Sequence, residues 1–357
     1  MHASELIEWA SKNAGRAALI VVIEVKGSSP RHPGSKMVVF PDGTFAGTVG
    51  GGIVEAKAIA RGVECISTKR PDLFAVEMIG EKAVGSDPIC GGVVTMAAHP
   101  IIDTTGYAAA AESLDRGERV VIVSSLASQA DIVPGDATAG WVVAVVGADG
   151  RSLFGAGAQV DVEAARATIE AGMPVVSSID GFLYDPVEPL DRLLILGGGH
   201  VGQALARFAA ELEFQVCIGD SRPEFVDPAR FPSGTELRLG KFSEIVDGFR
   251  FGASTYAVVV SPSHASDLEC ARAILKREYR YAGFIGSKRK TRMILEQAIA
   301  DGFPPEKVLA LRAPIGADIG AETPAEIAVA ILAEMIAVRR NSPAIVAMDA
   351  ERAKRRA

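Results

Sequence analysis

Cysteine is scarce in this sequence. The four present, Cys65, Cys90, Cys217 and Cys270, stand far apart with no C-x-x-C spacing, which argues against a disulfide framework or a closed zinc site. The five histidines form no H-E-x-x-H pair. No apolar run approaches the roughly 18 residues a membrane span needs, and the first residues lack a signal-peptide apolar stretch. Lysine and arginine (37) are outnumbered by aspartate and glutamate (44), for a net charge of −7, and no long basic stripe occurs. Neither nucleic acid nor an anionic membrane is therefore expected as a partner. These absences leave a reducing cytoplasm as the expected location.

What is present fits a two-domain α/β protein. A chain of 357 residues exceeds what one core usually supports, and 48% hydrophobic residues with 37 glycines suit a well-packed α/β chain. Residues 1–180 are expected to form an N-terminal mixed α/β domain, 181–190 a polar, proline-containing linker, and 191–340 a C-terminal domain. Residues 341–357 are expected to be a C-terminal tail, whose basic end from Glu351 to Ala357 frays in solvent. In the first part, Ser4 to Asn13 reads as an amphipathic helix and Ala17 to Val25 as a strand buried on both faces. Pro41-Asp-Gly43 joins two short strands in a hairpin. A helix from about Val54 to Ser67 follows Gly50, Gly51 and Gly52, with Glu55 in its first turn. A strand near Leu73–Ile79 and another at Val93–Ala98 flank a polar loop.

The most informative run is Leu193-Leu-Ile-Leu196 followed by Gly197-Gly-Gly-His-Val-Gly202. This is G-x-G-x-x-G with an apolar strand before it and a helix pattern after it, the fingerprint of a Rossmann-type doubly wound parallel sheet. Gly197 permits the tight turn, Gly199 the approach of a pyrophosphate, and Gly202 close helix packing. His200 and Val201 open the helix whose free N–H groups face the phosphate. The next strand ends in Asp220, at roughly the 20-residue spacing at which an acid binds a ribose 2′-OH, so NAD(H) is favoured. Arg222 can instead meet the 2′-phosphate of NADP(H), and FAD or S-adenosylmethionine stay open. Downstream, His264 is either a crevice residue or a solvated helix start. Gly286, Ser287 and Lys288 either hold phosphate or form a solvated basic turn. Thr323-Pro-Ala-Glu326 is a capping box.

In the first part, Gly27-Ser-Ser-Pro-Arg31 and Gly47-Thr-Val-Gly-Gly-Gly52 close strand ends. Such loops can converge N–H groups on an anion, with Arg31 and Lys36 as charge partners. Glu55 either orders these loops, binds a polar ligand or simply favours the helix start. Cys90, followed by two glycines, is either an accessible thiol, able to act as nucleophile, persulfide carrier or soft-metal ligand, or a small structural hydrophobe.

Taken together, Gly27-Ser-Ser-Pro-Arg31, Gly47 to Glu55, Cys90-Gly-Gly92, Gly197 to Gly202, Asp220 to Phe225, His264 to Asp267, Tyr281 to Lys288 and Pro314 to Pro324 resemble the xanthine dehydrogenase accessory (XdhC/CoxI) family, over nearly the whole chain and in order. The resemblance implies an accessory factor that binds molybdenum cofactor and supports its sulfuration. It further implies a cysteine desulfurase as sulfur source and delivery of the cofactor to an apo molybdenum hydroxylase such as xanthine dehydrogenase. It assigns Cys90 to contact with molybdenum or sulfur, and Arg31, Gly50 to Gly52 and Glu55 to the pterin-phosphate site. Ile53 stands where some relatives carry a cysteine, so Cys90 would act alone or with a partner protein. A homodimer is the expected assembly. The alternative is a free-standing NAD(P)-dependent oxidoreductase acting on a small molecule, against which stands the lack of an evident proton-transfer pair near the fingerprint.

Overall fold

The computed structural model describes residues 2–27, 31–78, 92–126, 141–155, 160–177 and 181–356. The chain divides into two compact units, Met1–Pro189 and Leu190–Ala357.

The first unit opens with α1 (Ala3–Ala10), started by a capping box between His2 and Glu5. There follow β1 (Ala18–Lys26), β2 (Lys36–Val39), β3 (Phe45–Gly47), α2 (Gly52–Thr68), β4 (Asp72–Met78), β5 (Gly92–Pro100), α3 (Thr105–Asp115), β6 (Val120–Ser125), β7 (Val142–Gly147), β8 (Ser152–Phe154), α4 (Val162–Ala171), β9 (Val175–Val176) and β10 (Phe182–Val187). Among the described residues two five-stranded sheets result, ordered β3-β2-β1-β5-β4 and β8-β7-β6-β10-β9. Every pairing between their strands among the described residues is antiparallel.

One face of the first sheet is covered by α2, through Val54, Ala58 and Cys65 against Ile20, Val22, Met37 and Met96. Its other face, with Leu19, Val21 and Val38, packs with α1, α3 and residues Ile122, Val145 and Val187 of the second sheet. Two covered faces explain why residues 18–22 of β1 are all buried. The far face of the second sheet is closed by Ala165 and Ile169 of α4.

Within the segment 181–190, read as a linker, residues 182–187 form the strand β10, paired with β6 on one side and β9 on the other, and the two units divide at Pro189 and Leu190. Proline normally argues against such a position. Here β9 pairs only Leu183 and Tyr184, so Pro186 lies where one side of the strand is open and its missing N–H costs no ladder bond.

The second unit contains β11 (Arg192–Leu196), α5 (His200–Glu211), β12 (Gln215–Asp220), β13 (Glu236–Leu239), α6 (Phe242–Gly248), β14 (Gly252–Val259), α7 (His264–Ile274), β15 (Tyr279–Phe284), α8 (Lys288–Ala300), α9 (Pro305–Leu309), α10 (Pro324–Arg339) and α11 (Ala344–Arg356). Its five strands are parallel, in the order β13-β12-β11-β14-β15. Leu205 and Ala209 of α5 and Ile331 and Met335 of α10 cover one face. Helices α6, α7, α8 and α9 cover the other through Ile245, Ile274, Ile294 and Val308. The doubly wound sheet expected from the fingerprint is present, and strand order reverses between β11 and β14. Ligands bind such sheets in the crevice beyond the carboxyl ends of the strands at that reversal.

The segment 341–357, expected to be a tail, contributes α11 (Ala344–Arg356). Its Arg352 is buried, pairs with the fully buried Glu334 of α10, and donates to the Pro314 carbonyl at 3.1 Å. Glu334 also accepts from the Tyr281 hydroxyl at 2.7 Å and the Gly316 N–H at 2.9 Å. A buried carboxylate needs such partners, and they fix α11 against the unit.

Candidate functional site

The fingerprint loop leaves β11 at Gly197, whose φ of +125° suits glycine. A Cβ there would lie 2.4 Å from the Val260 carbonyl oxygen. At Gly198 it would lie 2.1 Å from the Phe225 oxygen, and at Gly202 2.0 Å from the Gly197 oxygen. These three glycines let backbone pack on backbone. Gly199 differs, because a Cβ built on it meets nothing within 4 Å. The open space lies at the start of α5, where no side chain caps the helix and the first N–H groups stay unpaired. Exposed His200 and half-buried Val201 follow. Free donors, a positive helix end and room beside them suit the phosphates of a dinucleotide.

Asp220, at the end of β12, does not fit the ribose role expected of it. The residue is 0% exposed, and all four of its usual acceptor positions are engaged. Oδ1 accepts from the Arg222 N–H at 3.1 Å and from Arg222 Nε at 2.9 Å; Oδ2 accepts from the Gly198 N–H and from Arg222 Nη2, both at 2.9 Å. Burial pushes this carboxyl up, but the hydrogen bonds from Arg222 and the two backbone amides outweigh burial and hold it below the usual carboxylate range. It therefore works as a charged clamp between the glycine loop and Arg222. The guanidinium of Arg222 also stacks on the Phe225 ring at 3.7 Å.

Across the strand-order reversal, Gly197 packs against Val260 and the N–H of Ser261, and a second polar group begins there. The hydroxyl of Ser261 donates to Oδ1 of Asp267, which is also fully buried, and Lys290 Nζ pairs with Oδ2. Gly286 leaves room for the aliphatic stem of Lys290, 3.2 Å from where its own Cβ would stand. Ser287 caps α8 by accepting from the Lys290 N–H at 3.3 Å. Lys288 and His264 are exposed at the starts of α8 and α7. The lysine joined to the buried acid is thus Lys290, two positions beyond the Lys288 singled out from sequence. Its signal was the fold rule that brings the starts of α7 and α8 to one end of the sheet.

In the first unit, Gly50, Gly51 and Gly52 have φ values of +137°, +77° and +56°, a succession only glycine adopts readily. Nothing lies within 4 Å of a Cβ at Gly51 or Gly52. Glu55 accepts from the Thr48 hydroxyl, which in turn accepts from the Gly50 N–H at 3.3 Å; the carboxylate ties the loop to the first turn of α2. Arg31 is exposed. Lys36 does not serve as an anion partner: its ammonium is buried, donating to Asp185 at 2.8 Å and to the Gly34 carbonyl at 3.1 Å. Burial pushes Asp185 up, with Lys36 opposing.

Cys90 lies outside the described residues. The described cysteines are poor nucleophiles: burial pushes the thiols of Cys65 and Cys217 to about 12 and raises that of Cys270 well above its ordinary value. No three His, Cys, Asp or Glu side chains gather as a metal site among the described residues. No helix among them is long and apolar enough to cross a membrane.

A family model described as the XdhC Rossmann domain matches residues 193–335, and one described as the XdhC and CoxI family matches residues 10–77. The uncharacterized protein YqeB of Escherichia coli (strain K12) is 27% identical over 91% of this chain. Only 44% of YqeB is matched, so the chain spans less than half of that relative's length. A protein of Bacillus subtilis (strain 168) named as a probable xanthine dehydrogenase subunit is 25% identical over 91% of this chain and 94% of its own. The molybdenum cofactor insertion chaperone PaoD of Escherichia coli (strain K12) is 23% identical over 90% and 83%. A crystal structure described as a xanthine dehydrogenase from Bacillus halodurans shares the fold, with a TM-score of 0.71, 23% identity and 96% of each chain covered.

Proposed function

Because the chain belongs to the XdhC and CoxI family, we propose that it is a maturation factor that carries molybdenum cofactor as cargo, supports its sulfuration and delivers it to a molybdenum hydroxylase. The observation that carries this reading is the likeness, across both units, to a protein named a molybdenum cofactor insertion chaperone. The first unit supplies suitable chemistry for an anionic pterin phosphate: three glycines in left-handed backbone, open space over two of them, and the uncapped start of α2. Cys90 is the proposed contact to molybdenum or sulfur, with Arg31 and Glu55 shaping the loop region. The crevice of the second unit, at Gly197 to Gly202, is proposed to hold a dinucleotide. A cysteine desulfurase as sulfur source, an apo-hydroxylase as recipient, a homodimeric assembly and a cytoplasmic setting complete the proposal.

The test is anaerobic binding of molybdenum cofactor to the full chain, wild type beside Cys90→Ala. Saturable binding that weakens at least about tenfold in the variant is expected. No saturable binding by the wild type overturns the maturation reading, and unchanged binding by Cys90→Ala removes that residue from the site.

A second reading, an NAD(P)-dependent oxidoreductase, gains from one observation. The Ser261–Asp267–Lys290 group places hydroxyl, carboxylate and ammonium beside the crevice, where proton transfer would be needed. Hydride exchange between NAD(P)H and a small carbonyl compound is its test, and no exchange across a broad substrate set rejects it.

A further inference from the structure

The proposed dinucleotide site carries a choice that its sequence motif misreports. An acid at the end of the second strand selects NAD(H) when its oxygens are free to accept from a ribose diol and its charge repels a 2′-phosphate. Asp220 meets neither condition. It has no exposed surface, each oxygen already accepts two hydrogen bonds, and its charge is matched by the bidentate guanidinium of Arg222.

What faces outward at that strand end is chiefly donor chemistry, with Glu224 the exposed acid of the same turn. Ser221 is exposed and Arg222 keeps 35% of its side chain in solvent. Arg222 spends Nε and Nη2 on Asp220, and its Nη1 has no partner among the described residues. A second guanidinium, that of Arg230, lies 4.8 Å from the centre of the same Phe225 ring. It is tied down by donating to the Gly198 carbonyl at 3.1 Å and the Glu224 carbonyl at 2.8 Å. Two arginines held in place beside an exposed serine hydroxyl, with the neighbouring acid neutralised, match a phosphate monoester better than a diol.

We propose that the second unit reads an adenosine 2′-phosphate through Ser221, Arg222 and Arg230, and so takes NADP(H) in preference to NAD(H). Asp220 then acts as a positioning residue that holds Arg222 and the glycine loop in register. This rests on the reading that the crevice takes a dinucleotide.

Calorimetric titration of the full chain with NADPH, NADH, 2′,5′-ADP and 5′-AMP tests both levels separately. The expected result is that NADPH and 2′,5′-ADP bind at least about tenfold tighter than NADH and 5′-AMP. Arg222→Gln should bring each pair to within about threefold of one another. Arg230→Gln, whose arginine does not touch Asp220, should narrow the gap as well and keeps the test open if Arg222→Gln folds poorly. Equal binding of NADPH and NADH by the wild type overturns the 2′-phosphate proposal while leaving the dinucleotide reading intact. A preference that survives both substitutions overturns the residue assignment. Binding of none of the four overturns the dinucleotide reading itself.

Discussion

At Gly197, Gly198 and Gly202 a methyl group would stand between 2.0 and 2.4 Å from backbone oxygen, whereas at Gly51 and Gly52 it would touch nothing within 4 Å. The backbone reverses the pattern. Gly50 to Gly52 all have positive φ, while in the fingerprint only Gly197 does. The fingerprint loop of the second unit uses glycine mainly because chain lies on chain, with Gly199 as its open exception. The Gly50–Gly52 loop of the first unit uses it because the chain enters α2 through left-handed conformations. A glycine-rich motif therefore has two physical meanings in one protein, and substitution separates them.

The largest effect is expected where the packing meaning is purest. Gly202→Ala forces a methyl group onto the Gly197 carbonyl across a strand-to-helix turn, and a loss of about 3 kcal/mol is expected, near the upper end for overpacking. Both tryptophans, Trp9 and Trp141, lie in the first unit, so their fluorescence reports that unit. Hydrogen exchange in β11 and α5 should rise in the variant while tryptophan fluorescence unfolds at unchanged denaturant. A loss under about 1 kcal/mol would mean the loop yields and the packing account of the fingerprint is wrong.

The units also differ in acid response. Both ring nitrogens of His99, on β5, are buried without a partner among the described residues, and burial pushes its pKa down to about 4, from 6.5. The described histidines of the second unit, His200 and His264, are exposed. Because the unfolded chain takes up the proton first, the His99 contribution to stability is intact above about pH 6.5. It falls progressively as pH drops to about 4, by about 3 kcal/mol at most. Asp185, pushed up by burial, works with the opposite sign. The informative quantity is therefore the difference between wild type and His99→Phe in tryptophan-detected denaturant unfolding at pH 7 and pH 4.5. The variant should lose less stability on acidification. Parallel pH dependence in the two proteins would show that His99 is hydrated or bonded in solution.

The same contrast explains what was legible in the sequence. The second unit could be read because β11, β12, β14 and β15 carry buried runs and the fingerprint glycines obey steric rules that act within a few residues. The role of Asp220 could not, because saturation of a carboxylate depends on where Arg222 turns, and that is a property of the 222–231 loop packed over Gly198. Lys36 was misjudged for a similar reason: its partner Asp185 is 149 residues away in sequence. Residues 181–190 and 341–357 were read as linker and tail from prolines and charge. Pro186 is tolerated because β9 is short, and Arg352 is buried because Glu334 needs a cation. In both cases a partner distant in sequence overrides the local signal.

The smallest change in stability should come from the open glycine of the fingerprint, set against an open glycine of the first unit. Gly51→Ala keeps space around the methyl group but places alanine at φ +77° and ψ 174°, a region nearly reserved for glycine, and should cost about 2 kcal/mol. Gly199→Ala has both space and an ordinary φ of −68°, so its stability should stay within about 0.5 kcal/mol of wild type. Yet the new methyl group occupies the ground a pyrophosphate would approach, and dinucleotide affinity should fall at least about tenfold. A variant as stable as wild type but weak in nucleotide binding separates ligand space from fold at a single atom. Undiminished binding by a well-folded Gly199→Ala would place the phosphates elsewhere, and the open space at the start of α5 would then need another explanation.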